Sequence, residues 1–299
     1  MKVSVVIPVH NEEKNIPPLY EELKAVLEKL KSRGYSYELV FVNDGSTDNT
    51  LEVLKNLKKS DPLVRILDMD KNRGQAAGLS AGFYYARGDI IVSLDGDGQN
   101  DPKYIIDLIN KIEEGYKVVT GYRVKRKVPF LTRKLPSRIA NWLISKVTGL
   151  RVRDNGCSLK AYVSPIPKRW QLPKGMHRFL PAVFGVKNED LCEIPILDRP
   201  RKFGKSHYGL KRTFEVLRDL FTIPYILKNP KRYEKVFKWL FVFSCLGTLI
   251  SGISSYFFPK MWFLTGFGVI CSIYTAVVFK NLKRFNKAQE EGVFKVKEL

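Results

Sequence analysis

The sequence predicts an α/β protein: a mostly parallel sheet with helices on both faces, continued by amphipathic juxtamembrane helices and a two-helix transmembrane hairpin. Three observations carry that expectation. Short β-rich runs alternate with helix-like segments through the first part of the chain, polar residues gather directly after each run, and two long stretches near the end carry no charge.

The runs are "KVSVVIPV" (2–9), "YELVFV" (37–42), "VRILDM" (64–69), "DIIVSL" (89–94) and "KVVTGY" (117–122). Between the first two, Ile16, Leu19, Leu23, Val26, Leu27 and Leu30 recur at i, i+3, i+4 spacing, the mark of a helix with one apolar face. Strand–helix alternation of this kind builds parallel sheets, whose ligands bind beyond the carboxyl ends of the strands. At those ends stand His10, Asn11 and Glu12, then Asp44, Ser46 and Asp48, then Asn72 and Arg73, then Asp95, Asp97 and Gln99. So acidic an edge suits a cation or sugar hydroxyls better than a bare anion.

Residues 239–258 and 261–279 are free of charge, and each is close to the ~20 residues a helix needs to cross a bilayer. Only Pro259 and Lys260 separate them, so both outer ends emerge on one side. Lys228, Lys231, Arg232, Lys235 and Lys238 before the pair, and Lys280, Lys283, Arg284 and Lys287 after it, assign that side to the cytoplasm. Upstream, Leu210, Phe214, Leu217 and Phe221 form a stripe with Lys211, Arg212 and Arg218 off it, as in a helix lying in the membrane interface. The domain expectation is a cytoplasmic catalytic domain over 1–204, interfacial helices over 205–235, the hairpin over 236–280 and a cytoplasmic tail over 281–299.

The net charge of +21 is unevenly spread. Residues 1–100 hold 13 Lys and Arg against 15 Asp and Glu, and the remainder holds 38 against 15. A near-neutral first part and a strongly basic second part fit a chain whose later half meets an anionic lipid surface. No aromatic-basic RNA signature accompanies the charge, so no nucleic-acid partner is expected. The four cysteines form no C-x-x-C pair, which indicates neither a zinc site nor a disulfide framework, and a reducing compartment fits.

Three nucleotide or metal motifs fail on inspection. "VIPVHNEEKN" has no glycine where a dinucleotide fold needs G-x-G-x-x-G, and "GKS" (204–206) has Arg199 where a P-loop needs its first glycine. "DGDGQND" has Asn100 and Ile106 where a calcium loop needs Gly and Glu. What remains is D-x-D at a strand end, with Gly96 and Gly98 permitting a turn that brings Asp95 and Asp97 to one point. Oxygen ligands of this kind favour Mg²⁺ or Mn²⁺ bound to a substrate diphosphate. Asp101, by contrast, reads as a cap for the helix that begins near Pro102.

Taken together, "VSVVIPVHNEEKNI", "FVNDGSTDNT", "NRGQAAGLSAGFYYARGD" and "LDGDGQNDP" resemble a family 2 glycosyltransferase of the GT-A fold. "TGYRVKRKVPFLTRKLPSRIANWLISKVTGLRVRDNGCSLKAY" and "RPRKFGKSHYGL" narrow the resemblance to the polyprenyl-phosphate (dolichyl-phosphate) sugar synthases. The resemblance implies that Pro8, Val9, His10, Glu12, Asp44, Ser46 and Arg73 hold the nucleoside of a nucleotide sugar such as GDP-mannose, UDP-glucose or UDP-N-acetylglucosamine. It assigns Asp95, Gly96, Asp97 and Gln99 to the metal and diphosphate, with Arg201 and Lys205 closing over the latter. Arg123, Arg133 and Ser137 would hold the lipid phosphate, and Asp154 would lie near the reacting sugar, so Asp97 and Asp154 are the candidate catalytic residues. Gly98 and His207 depart from the family pattern, in the D-x-D-L-Q run and the S-K-Y run respectively. The Q-x-x-R-W signature of processive members is missing, since "KRWQ" (168–171) has the wrong order.

The expected reaction is inverting transfer of the sugar to polyprenyl phosphate at the cytoplasmic membrane, by a multi-pass protein packed as a homo-oligomer through Gly- and Ser-bearing hairpin faces. Transfer to another lipid such as diacylglycerol, or a nonenzymatic basic membrane adaptor, are the alternatives. Trp142 and Trp170 read as core or interfacial aromatics, and His177 as structural.

Overall fold

The computed structural model describes residues 1–124, 135–201, 203, 215–216, 218–258, 260 and 262–299, with the backbone alone for 135–140. Arg133 and Lys205, the side chain of Ser137, and the stripe residues Leu210, Phe214 and Leu217 therefore lie outside the described residues. The chain forms two compact units, residues 1–208 with 293–299, and residues 209–292.

The first unit opens with β1 (Lys2–Val9), α1 (Ile16–Ser32), β2 (Ser36–Asn43), α2 (Thr50–Ser60), β3 (Val64–Met69), α3 (Gln75–Tyr85), β4 (Ile90–Ser93), α4 (Tyr104–Glu113) and β5 (Val118–Val124). Each expected run is a strand, displaced by two residues at most. α1 buries Ile16, Leu19, Leu23, Val26, Leu27 and Leu30, as its spacing predicts. Each such side chain removed from water contributes roughly 1.5–3 kcal/mol. Then follow α5 (Leu135–Thr148), β6 (Lys160–Val163), the short α6 (Pro165–Lys168) and α7 (Leu180–Val183), and β7 (Leu191–Leu197).

The sheet order is β7-β5-β6-β4-β1-β2-β3-β8, where β8 is Val296–Glu298. β1 pairs in parallel with β2 and β4, β2 with β3, and β5 with β7. β6 runs antiparallel between β4 and β5, and β8 antiparallel beside β3, so the sheet is mixed at two places. Sequence periodicity misses both strands for the same reason: "KAYV" and "VKE" are short and carry charge. The reversal of β6 has a consequence for the site. Its leading residues, Asp154 to Ser158, arrive at the edge where the parallel strands end.

β8 comes from the segment expected as a tail. Its Glu298 carboxylate accepts from Arg65 Nε at 2.7 Å, and Arg65 Nη1 donates to Glu38 at 3.1 Å. Glu38 also accepts from Ser4, Lys2 and the Arg87 N–H. Burial works to raise the Glu38 pKa, but these partners hold it below the usual carboxylate range.

The second unit holds α8 (Ile223–Lys228), α9 (Pro230–Phe257) and α10 (Trp262–Glu291). α9 and α10 pack together as an antiparallel pair through small and hydroxylated residues. Ser244 meets Thr275 at 3.2 Å and Thr248 meets Ser272 at 3.3 Å. A Cβ on Gly268 would stand 2.6 Å from Thr248 Oγ1, so only glycine allows the helices to come this close. Part of the Gly- and Ser-bearing surface is thus used inside the hairpin. The apolar windows of the two helices are only 6% and 11% buried, which places large side chains such as Phe243, Ile250 and Ile270 outward.

Candidate active site

The carboxyl ends of β1, β2, β3, β4 and β5 bring most of the expected residues to one edge. Asn11 adopts positive φ (57°), and its side-chain carbonyl accepts from the Thr47 N–H at 2.8 Å while its own N–H donates to Ser46 Oγ at 3.0 Å. His10 Nδ1 lies 2.9 Å from the Asp44 carbonyl oxygen. The Glu12 N–H donates to Thr50 Oγ1, and its carboxylate accepts from Asn15. Burial raises the Glu12 pKa against that hydrogen bond. These contacts tie the loop after β1 to the loop after β2.

The Asp44 carboxylate is engaged by backbone. It accepts from the N–H groups of Arg73 at 2.7 Å and Gly74 at 2.8 Å. The loop after β3 is thereby drawn onto the loop after β2. Gly45 makes this approach possible, because a Cβ there would stand 2.3 Å from the Asn72 nitrogen. The Arg73 guanidinium pairs with Asp70 through two nitrogens, at 2.7 and 2.8 Å. Pro8 and Val9 end β1 beside this loop pair.

After β4 the chain turns at Gly98, which has φ +70°. Gly96 is needed for a different reason: a Cβ there would stand 2.5 Å from Val9 Cγ1. Asp97 accepts from the Gln99 N–H at 3.0 Å, and its other oxygen lies 2.7 Å from Arg201 Nη2. Asp95 accepts from Gln75 Nε2 at 2.6 Å. Burial, and then the neighbouring charge of Asp97, push the Asp95 pKa above the ordinary carboxylate range. Gln99 is anchored to Arg199 through its backbone and side chain. Asp101 caps the turn into α4 by accepting from the Lys103 N–H at 3.0 Å, and it also pairs with Arg199 at 2.7 Å. α4 itself begins at Tyr104 with Lys103 in the N-cap position, so Asp101 acts in the turn before the helix and not as its N-cap.

Beyond β5, Arg123 and Asp154 form a two-point ion pair. Nε donates to Oδ2 at 2.6 Å and Nη2 to Oδ1 at 2.9 Å, with the Arg123 N–H adding a third bond at 3.3 Å. Both side chains are only 11% exposed. Burial works to raise the Asp154 pKa, yet the hydrogen bonds and charge of Arg123 hold it below the usual range. Asp198 stands 3.8 Å from Arg123 Nη1.

Two residues that sequence reasoning did not single out belong to this edge. Gln75, inside the quoted "NRGQAAGL" stretch, orients Asp95. Lys160, the first residue of β6, is fully buried with its ammonium 3.4 Å from the Asn155 carbonyl, and burial lowers its pKa.

Whether a divalent ion suits the edge follows from its donor set. Asp95 and Asp97 are two carboxylates forced close enough to repel, and an arginine already answers one of them. Hard oxygen donors of this number fit Mg²⁺ or Mn²⁺ completed by phosphate oxygens. Among the described residues no group of three or more His, Cys, Asp or Glu forms an all-protein metal cage.

Comparisons with known proteins place the chain in a family and match its fold. The sequence model of Glycosyl transferase family 2 matches residues 4–163. The dodecaprenyl-phosphate galacturonate synthase of Rhizobium johnstonii is 38% identical over 236 residues, covering 78% of this chain and 69% of that protein. The undecaprenyl-phosphate 4-deoxy-4-formamido-L-arabinose transferase of Salmonella enteritidis PT4 is 36% identical over 222 residues, covering 74% and 67%. Among solved structures, glucosyl-3-phosphoglycerate synthase from Mycobacterium tuberculosis, in complex with Mn²⁺, UDP-glucose and phosphoglyceric acid, superposes with TM-score 0.56 at 16% identity, covering 75% and 79%. Mannosyl-3-phosphoglycerate synthase from Rubrobacter xylanophilus gives 0.54 at 14%, covering 73% and 72%. The two solved structures establish the likeness of fold, a GT-A sheet. The chain belongs to glycosyl transferase family 2, in its polyprenyl-phosphate sugar synthase group.

Proposed function

We propose that this enzyme moves a sugar from a nucleoside-diphosphate sugar to the phosphate of a membrane polyprenol, undecaprenyl or dolichyl, with inversion at the anomeric carbon. The observation that carries the reading is the Asp95–Asp97 turn, whose outer carboxylate is met by Arg201 at 2.7 Å. Such a turn attracts a cation and, through it, a diphosphate. The names of the relatives supply the acceptor class.

In this reading the loops carrying Pro8, Val9, His10, Glu12, Asp44, Ser46 and Arg73 enclose the nucleoside. Asp95, Gly96, Asp97 and Gln99 face the diphosphate, and a bound Mg²⁺ or Mn²⁺ would offset charge on the leaving group. Arg201 leaves Asp97 for the diphosphate, joined by Lys205. Arg123, Arg133 and Ser137 present the lipid phosphate. A phosphate monoester, with its second pKa near ~6, is largely ionised at neutral pH, so its oxygen attacks the anomeric carbon as the bond to the diphosphate breaks, with no proton to remove. Asp154 is held as a carboxylate on Arg123 and is a weak base. Its role is to fix the guanidinium beside the acceptor phosphate.

We read α9 and α10 as crossing the bilayer together. Their 28 and 30 residues span about 40–45 Å at 1.5 Å per residue. The chain leaves the first unit at 208 and re-enters it at 293, where β8 joins the catalytic sheet. An even number of crossings satisfies that connectivity. The positive flanks then set the catalytic unit on the cytoplasmic side of a multi-pass membrane protein, and outward faces of the hairpin remain for a homo-oligomer.

The test is a screen of radiolabelled GDP-mannose, UDP-glucose, UDP-N-acetylglucosamine, and nucleotide-linked galacturonic acid and 4-deoxy-4-formamido-L-arabinose against undecaprenyl and dolichyl phosphate. One donor should label the polyprenyl phosphate in a metal-dependent way. Equal labelling of diacylglycerol or dephosphorylated polyprenol would overturn the acceptor assignment.

A further inference from the structure

α5 fixes its inner face on the segment that leads to β6. Ile144 is buried, Asn141 Nδ2 donates to the Arg153 carbonyl at 2.8 Å, and Ser145 Oγ donates to the Val152 carbonyl at 3.4 Å. The neighbouring face is different. Trp142 is 59% exposed, and Lys146, one turn later on the same ridge, is exposed as well. In the segment that Asn141 and Ser145 bond, Val152 and Asp154 are buried while Arg151 and Arg153 alternate with them and are exposed. The two arginines, with Tyr122, line an open cavity of about 460 Å³ away from the D-x-D turn. The Arg153 guanidinium lies 4.8 Å over the Tyr122 ring and 3.8 Å from Glu193. Among the described residues no ion pair engages the side chain of Arg151.

We propose that this surface is a lipid-headgroup contact of the catalytic unit, with the Trp142 indole at the interface and Lys146, Arg151 and Arg153 meeting anionic phosphates. An indole that is apolar in body and polar at one edge favours the membrane–water boundary over bulk water. Three cations against Glu193 leave the patch positive, and its attraction to anionic lipid fades within a Debye length. Lipid is the occupant favoured over a soluble anion because the same chain carries two helices long and apolar enough to span a bilayer, which keeps headgroups at high local concentration. The contact is independent of which sugar is transferred.

The test uses the full chain in vesicles. A Trp170→Phe, Trp239→Phe, Trp262→Phe variant leaves Trp142 as its one indole. In vesicles containing phosphatidylglycerol, lipids brominated near the glycerol should quench its emission at least twofold, and acrylamide quenching should fall. Adding Arg151→Ala and Arg153→Ala, or replacing phosphatidylglycerol by phosphatidylcholine, should reverse both. Emission that ignores lipid-borne bromine and stays open to acrylamide overturns the proposal. Should the triple variant misfold, a photoreactive benzophenone residue placed at position 146 reads the same contact. A lipid adduct supports the proposal, whereas no adduct, or a crosslink to a second copy of the chain, refutes it.

Discussion

Asp97 and Asp154 stand at the same sheet edge and each is met by an arginine, yet the two pairs are built differently. Arg123 grips Asp154 through two nitrogens and its own N–H, with both side chains 11% exposed. Arg201 reaches Asp97 from a partly exposed position, 27% open, on the segment after β7. A two-point buried pair is costly to break because either partner left alone is an uncompensated charge. The Asp97 side chain is itself only 9% exposed, so the two pairs differ in the arginine, held at two points in one and reaching in from a more open position in the other.

Removing the Asp97 carboxylate should have the largest effect. Asp97→Ala is expected to lower turnover by about 10³-fold or more, since charge on the leaving diphosphate then goes unanswered. Isothermal titration with Mn²⁺ and the cognate nucleotide should show the binding lost, and a variant that turns over at the parent rate would remove the metal from the proposed reaction.

Asp154→Asn comes next, at about 10²-fold. In the positioning role the loss arises because Arg123 is no longer aimed, so KM for polyprenyl phosphate should rise while the pH–rate profile keeps its shape. A base role would instead remove the acidic limb of that profile. The same change leaves Arg123 buried with one partner fewer, so a loss of about 3 kcal/mol in stability should accompany it.

How much of this was legible beforehand depended on the kind of residue. α1 and β1 to β5 have periodic apolar patterns long enough to read, and all are present. β6 was hidden because Lys160, a charge within a four-residue strand, breaks the pattern. The D-x-D turn was legible as two carboxylates near enough to repel, since the spacing alone puts Asp95 and Asp97 side by side. The state of Asp44 was not, since only the folded backbone brings the Arg73 and Gly74 N–H groups to its oxygens. Nor was the Arg123–Asp154 pair, which joins residues 31 apart through the reversal of β6. Glycines were half legible: Gly98 was read correctly as a turn, whereas Gly96 answers to Val9 on the neighbouring strand.

Arg201→Ala should sharpen the contrast between the pairs, with an effect near tenfold. If Arg201 and a divalent ion compete for Asp97, the variant should bind Mn²⁺ more tightly in the absence of nucleotide sugar while turning over more slowly. Tenfold corresponds to about 1.4 kcal/mol, the scale of a partly exposed charge-assisted contact. Unchanged Mn²⁺ affinity would show that Arg201 and the ion do not share a ligand.

The smallest effect concerns Asp95, and its sign follows from the direction of its pKa. Burial and the Asp97 charge make the folded state hold the Asp95 proton more tightly than the unfolded chain does. A carboxyl group raised in this way contributes stability that is full below its unfolded pKa and is lost as the pH rises through its folded value. At neutral pH without metal, the ionised Asp95 is therefore a net cost. Asp95→Asn should raise the melting temperature of the metal-free protein at pH 7.5 by a few degrees, on the order of 1 kcal/mol. The advantage should shrink toward pH 4, where the parent carboxyl is protonated too. A saturating divalent ion with nucleotide should reverse it, because the ion rewards the charge that burial penalises. Thermal melts of the two proteins at pH 4, 5.5 and 7.5 measure the difference, and an Asp95→Asn protein less stable than its parent across the whole range would mean that Asp95 is held ionised by its surroundings even before the ion arrives.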